Sequence, residues 1–213
     1  QESSALILTI FLALIILILF GLLYSWLRLE LIFGLIIRLK KIKIKKIIKT
    51  YKIMTIIFSK RNDTLFLRNI WKDIDNINVV EVGSSDDYDK VEGALLAEQD
   101  TIILCGHGSS NGLLYPNFEG EIIHRDNLDL YKDKIIIGIW CYASDFAIKY
   151  NLHGFFSSMF ISDVDEAYDN NCYNKLEDIE KENILFAQRL NRLIKDKVDM
   201  EKWSDMLETE ANY

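Results

Sequence analysis

A chain of 213 residues with only three cysteines is not a disulfide-stapled scaffold. Its formal net charge of −7 hides two opposite parts, since nine of the 25 Lys and Arg but two of the 32 acidic residues lie in residues 1–53. That segment carries +7 and residues 54–213 carry −14, which excludes a single uniform surface field.

Residues 3–27 contain no charged side chain and are dominated by Leu, Ile, Phe and Ala. Roughly 20 such residues suffice for a helix to cross a hydrocarbon core of about 30 Å, and a helix satisfies its own backbone there. A transmembrane helix is therefore expected over residues 1–28. The stretch is too long for the apolar core of a signal peptide, no basic segment precedes it, and no small-residue cleavage site follows it. Over residues 29–53 the next element is basic. Between Arg38 and Lys52 the lysines alternate with Ile and Leu, which predicts an amphipathic helix lying on anionic headgroups. Such a run also suits nucleic acid, but beside a membrane span no nucleic-acid partner is expected. Positive charge after the span places residues 54–213 on the cytoplasmic side of a cell membrane, in a single-pass arrangement.

Residues 54–213 read as an α/β domain. Residues 55–59 (TIIFS) and 78–82 (NVVEV) are short β-branched runs, hence strands. Between them, residues 63–75 have helical spacing, with Asp63 as N-cap. A loop at Gly83-Ser84-Ser85 precedes a helix over 88–98. It has no Lys or second glycine at phosphate-loop spacing, so no nucleotide cofactor is expected. Residues 101–105 (TIILC) form a fully apolar strand closed by Gly106-His107-Gly108. Small strands are expected at 113–115 and 121–124, and a major one at 134–140 (KIIIGIW), ending at Cys141. A helix over 144–151, an apolar run over 155–162 and a charged helix over 175–198 complete the domain. Trp203, Met206 and Leu207 mark a last helix, by default packed on the domain and otherwise a candidate surface for a regulatory protein partner. Strands apolar on both faces that alternate with helices predict a mostly parallel sheet flanked by helices.

Chemistry in such sheets gathers beyond the carboxyl ends of the strands. Two potential catalytic side chains sit at such ends, His107 and Cys141. Cys141 also precedes a helix start, whose dipole favours a thiolate. A cysteine activated by a neighbouring histidine is a nucleophile for acyl transfer. Cys105 and Cys172 read as small core hydrophobes. His124 and His153 are rivals to His107, with His153-Gly154 read as a helix end. The spacing Cys105-x-His107 is weak for zinc, and no metal is expected.

The segments TIILCGHG (101–108) and KIIIGIWCYA (134–143) resemble the caspase-like clan of cysteine peptidases, which includes metacaspases, clostripain and CHAT-domain proteases. Residues 158–167, running into Asp163-Val164-Asp165-Glu166-Ala167, are similar to the CHAT segment after the cysteine. The resemblance implies a caspase-like fold, His107 as acid and base, and Cys141 as nucleophile. It further implies an oxyanion hole made by the backbone N–H groups of Gly108 and Cys141. Asp165, with Asp163 and Asp145 as substitutes, would bind a basic side chain before the cut. The partner would be a protein or peptide substrate, without a cofactor, in regulated proteolysis or a defence or cell-death response. Ile139-Trp140 before Cys141 departs from the signatures of caspases and metacaspases, and the domain is small for the clan. The alternative is a catalytically inactive α/β adaptor that binds a protein at the membrane.

Overall fold

The computed structural model describes residues 54–98, 100–159, 161–172 and 175–211. The expected transmembrane helix (1–28) and basic helix (29–53) lie outside the described residues. Among the described residues, no helix is long and apolar enough to cross a membrane.

In chain order the strands are β1 (Met54–Ser59), β2 (Ile77–Val82), β3 (Thr101–Cys105), β4 (Gly108–Ser109), β5 (Gly112–Leu114), β6 (Glu121–Ile123), β7 (Ile135–Ile139) and β8 (His153–Phe156). The helices are α1 (Tyr88–Ala97), α2 (Ala143–Tyr150), α3 (Val164–Asp169), α4 (Leu176–Lys195) and α5 (Trp203–Ala211). Five strands form a parallel sheet in the order β2-β1-β3-β7-β8. The small antiparallel sheet β4-β5-β6 is inserted between β3 and β7.

Period-2 alternation explains why TIILC and IIIGI are apolar throughout: each face of the sheet meets its own layer. Ile102, Leu104 and Ile136 pack with Val91, Leu95 and Phe146 on one side. Ile103, Cys105, Ile137 and Ile139 pack with Ala187, Leu190 and Leu193 on the other. Each fully buried Ile or Leu is worth about 1.5–3 kcal/mol of transfer free energy.

Three local expectations change. Residues 63–75 do not form an α-helix: a 3-10 turn runs over Leu65–Ile70, preceded by Thr64, and Asp63 does not cap it. The run at 155–162 pairs only in its first part, because β8 begins earlier, at His153. Gly154 makes this possible. Its φ is +146°, and a Cβ there would lie 1.8 Å from the Ile136 carbonyl oxygen, so only glycine fits against β7. His153 is accordingly the first residue of a strand, and α2 ends instead on Asn151 in the left-handed region. The acidic turn after residue 162 is a short helix, α3. Asp163 caps it by accepting the Glu166 N–H at 2.8 Å, while the Glu166 carboxylate accepts the Ser162 N–H and hydroxyl.

At the far edge of the sheet, Glu81 on β2 takes Lys60 and Arg68 as partners. Burial works against the charged carboxylate, but the two cations outweigh it and hold its pKa below the ordinary value of 4.5. A carboxyl depressed in the fold adds stability that is whole at neutral pH and drains away as pH falls below that range. Such a half-exposed cluster is worth under about 1 kcal/mol. The expected result is that the protein with Lys60→Met and Arg68→Met loses less thermal stability than the parent between neutral pH and pH 3, measured by circular dichroism.

Candidate active site

The register of the sheet decides which strand-end residues meet. Cys105 on β3 lies opposite Ile139 on β7, and the Gly106 N–H donates to the Ile139 carbonyl at 3.1 Å, so pairing continues past the strand ends. His107 stands two residues beyond Cys105, and Cys141 two beyond Ile139. Both therefore leave the carboxyl ends of neighbouring strands, β3 and β7. They line a common cleft with Gly106, Thr64, Leu67 and Ser162. Its volume, about 10 Å³, has room for about one water molecule.

The turn carrying Cys141 is tightly held. The Ser157 hydroxyl donates to the Trp140 carbonyl at 2.8 Å and accepts the Trp140 N–H at 3.1 Å. The Tyr142 and Ser144 N–H groups donate to the carbonyls of Ser158 and Ser157. Tyr142 itself lies in the left-handed region, φ 63° and ψ 26°, and is the N-cap of α2. A bulky residue there stores strain of order 1 kcal/mol or more, a feature that clusters at functional turns. The chain thus goes from strand to cysteine to helix within three residues, leaving Cys141 half-buried at the start of α2.

His107 is held from the other side. Its Nε2 lies 3.2 Å from Asp63 Oδ2, with the two side chains 11% and 20% exposed. Asp63 also pairs with Arg61 at 3.1 Å. Phe118, at the tip between β5 and β6, sets its ring edge-on to the imidazole at 5.3 Å, and the Arg61 guanidinium lies 4.5 Å over the same ring. Asp63, Arg61 and Phe118 are the site neighbours that sequence reasoning does not find. Nothing local marks them, since Asp63 and Phe118 meet His107 across the fold and Arg61 contacts those two.

The other candidates are placed as follows. The Leu114 N–H donates to the His107 carbonyl at 2.9 Å, so antiparallel alternation turns the Gly108 N–H away from β5. Asp163 is engaged at the start of α3. Asp165 is exposed on α3 and Asp145 exposed on the first turn of α2, and neither lines the cleft. Cys105 is fully buried, and burial pushes its thiol far above the ordinary range, which makes it inert. His124 caps the 3-10 turn over Arg125–Leu130 by accepting the Asp126 N–H. Among the described residues, no group of three potential metal ligands converges.

Gly108 is fixed by its neighbour. A Cβ there would fall 2.0 Å from Trp140 Cδ1 and 2.7 Å from the Gly112 carbonyl oxygen. Gly108→Ala should cost about 1–3 kcal/mol by overpacking, read as a lower urea midpoint at unchanged slope.

Comparison of the chain with protein-family models, curated proteins and solved structures gives no match.

Proposed function

We propose that residues 54–213 are a caspase-like cysteine endopeptidase, held at the cytoplasmic face of a membrane by residues 1–53. The observation that carries the reading is the shared cleft of His107 and Cys141, which follow the ends of two adjacent parallel strands. His107 takes the thiol proton of Cys141, and the thiolate forms a bond to the scissile carbonyl carbon. The carbonyl π pair moves onto oxygen, which the N–H groups of Gly108 and Cys141 would receive. As the tetrahedral centre collapses, the C–N bond breaks and the imidazolium gives its proton to the leaving amine. Water, deprotonated by His107, then frees the acyl group and restores the thiol.

A basic side chain before the cut suits the surroundings. A groove of about 780 Å³ begins beside the Cys141 turn at Ser157 and Ser158 and runs between β8, α4 and α5. Asp178, Glu182 and Glu208 stand on its wall, with Arg189 as the one cation among the described lining residues.

The test uses the full chain in detergent micelles, a fluorescent thiol-directed probe and peptides with Arg or Lys before the cut. Labelling of Cys141 and cleavage are expected in the parent. If the Cys141→Ala and His107→Ala proteins cleave as the parent does, the reading is wrong. The narrowness of the resting cleft favours a second reading, an inactive adaptor. That reading predicts no cleavage, and a captured membrane partner that Cys141→Ala does not release.

A further inference from the structure

We propose that Asp63 is the positioning residue of this site, fixing the tautomer and orientation of His107 so that Nδ1 is the base facing Cys141. The inference rests on the assignment of His107 and Cys141 as base and nucleophile.

Three observations carry it. First, the spatial order is that of a relay. Asp63 follows β1, His107 follows β3 and Cys141 follows β7, and these three strands are neighbours in the sheet in that order. Second, Nε2 of His107 and Oδ1 of Asp63 are both buried and make no hydrogen bond, and the group nearest Nε2 is the Asp63 carboxylate, with Oδ2 at 3.2 Å. An N–H enclosed beside a carboxylate is the cheapest state for that nitrogen, since a bare lone pair there would face negative charge. Nε2 thus carries the proton, and by elimination Nδ1 holds the lone pair that receives the thiol proton. Third, the loop that presents Asp63 is built rather than slack. The Thr64 hydroxyl donates to the Arg61 carbonyl and accepts the Arg61 N–H, both at 3.1 Å, and the Lys60 N–H extends the β1–β2 pairing to Val82 at 3.1 Å. The part-exposed Arg61 guanidinium lies 3.1 Å from the same oxygen, Oδ2, and the Phe118 ring stands edge-on to the imidazole at 5.3 Å. A loop stapled this way can hold a carboxylate to within a few tenths of an ångström, which positioning demands.

Asp63 exchanges no proton in this account. It stabilises the imidazolium that forms when Cys141 is deprotonated, and it prevents the ring from presenting the wrong nitrogen.

The experiment compares the parent chain with Asp63→Asn, Asp63→Glu and Arg61→Ala, by ¹⁵N NMR of the His107 ring and by the rate at which iodoacetamide alkylates Cys141. In the parent the Nε2–H tautomer should dominate. In Asp63→Asn that tautomer should lose its dominance and alkylation should slow by about tenfold or more. Asp63→Glu should recover much of the rate, and Arg61→Ala should change it by less than about threefold. For peptide cleavage, Asp63→Asn should lower kcat by about 10²–10⁴ with KM little changed. An unchanged tautomer and rate in Asp63→Asn overturns the proposal, as does an Arg61→Ala protein as impaired as Asp63→Asn. If the parent cleaves no peptide yet the ring and the thiol respond as described, the peptidase reading fails and the positioning role stands. If Cys141→Ala abolishes cleavage while Asp63→Asn behaves as the parent, the reverse holds.

Discussion

Cys141→Ala is expected to lower cleavage of a peptide with Lys or Arg before the cut by at least about a thousandfold, and His107→Ala by a similar factor. The two should not add. Without the thiol there is no bond to form with the carbonyl carbon, so removing the base as well takes away a group with nothing left to deprotonate. The double variant should therefore fall to about the rate of the worse single one. What survives is the contribution of backbone N–H groups and of substrate binding. Stability gives the control. Cys141 is half-buried and its truncation removes one sulfur atom, so the urea midpoint should stay close to that of the parent. A collapse of activity at constant midpoint would point to chemistry, whereas equal activity in parent and Cys141→Ala would sink the nucleophile assignment.

Trp140→Ala is expected to produce the largest loss of stability in the domain, about 3–5 kcal/mol, from the cavity and lost transfer energy of a buried indole. Trp140 is 1% exposed and packs edge-on against Phe146 at 5.9 Å and Phe156 at 6.4 Å. Its Nε1–H donates to the Ser109 carbonyl at 3.1 Å, tying β7 to the inserted hairpin. Against a typical total of about 5–15 kcal/mol, such a loss takes a third or more of the whole. Trp140→Phe keeps an apolar ring and strands only the Ser109 carbonyl, so it should cost less, about 1–2 kcal/mol. Urea titration reads both values. Because Trp140 directly precedes Cys141, the alanine variant should also lose thiol-dependent activity although every polar side chain of the site is intact. A midpoint for Trp140→Ala within experimental error of the parent would mean that the indole does not tie these layers together.

The sheet is legible in the sequence because burial on both faces forces TIILC and IIIGI to be apolar without interruption. The strand-end positions of His107 and Cys141 follow from those same runs. Their neighbours do not. Asp63 is spaced as an N-cap, but the turn after it is 3-10 rather than α-helical, which leaves its carboxylate for a histidine 44 positions away in the chain. Phe118 reaches the same ring only because β4, β5 and β6 fold back over it. His153 misleads for a related reason. A glycine after a helical run reads as a cap, yet Gly154 is required for close approach to Ile136 within a strand. In each case a side chain's use is set by a partner distant in sequence, which local periodicity does not encode.

The order of the strands has a consequence for the life of the chain during synthesis. Asp63 comes from the loop after β1, His107 from the turn after β3 and Cys141 from the turn after β7, with α2 following it. Each of these parallel neighbours is joined by a crossover, so the loop-closure entropy must be met before any pair gains its contacts. A nascent chain that ends before Cys141 therefore carries Asp63 and His107 but not the cysteine. The proposed peptidase would therefore gain its site only after the turn that follows β7 has been made and packed against β3.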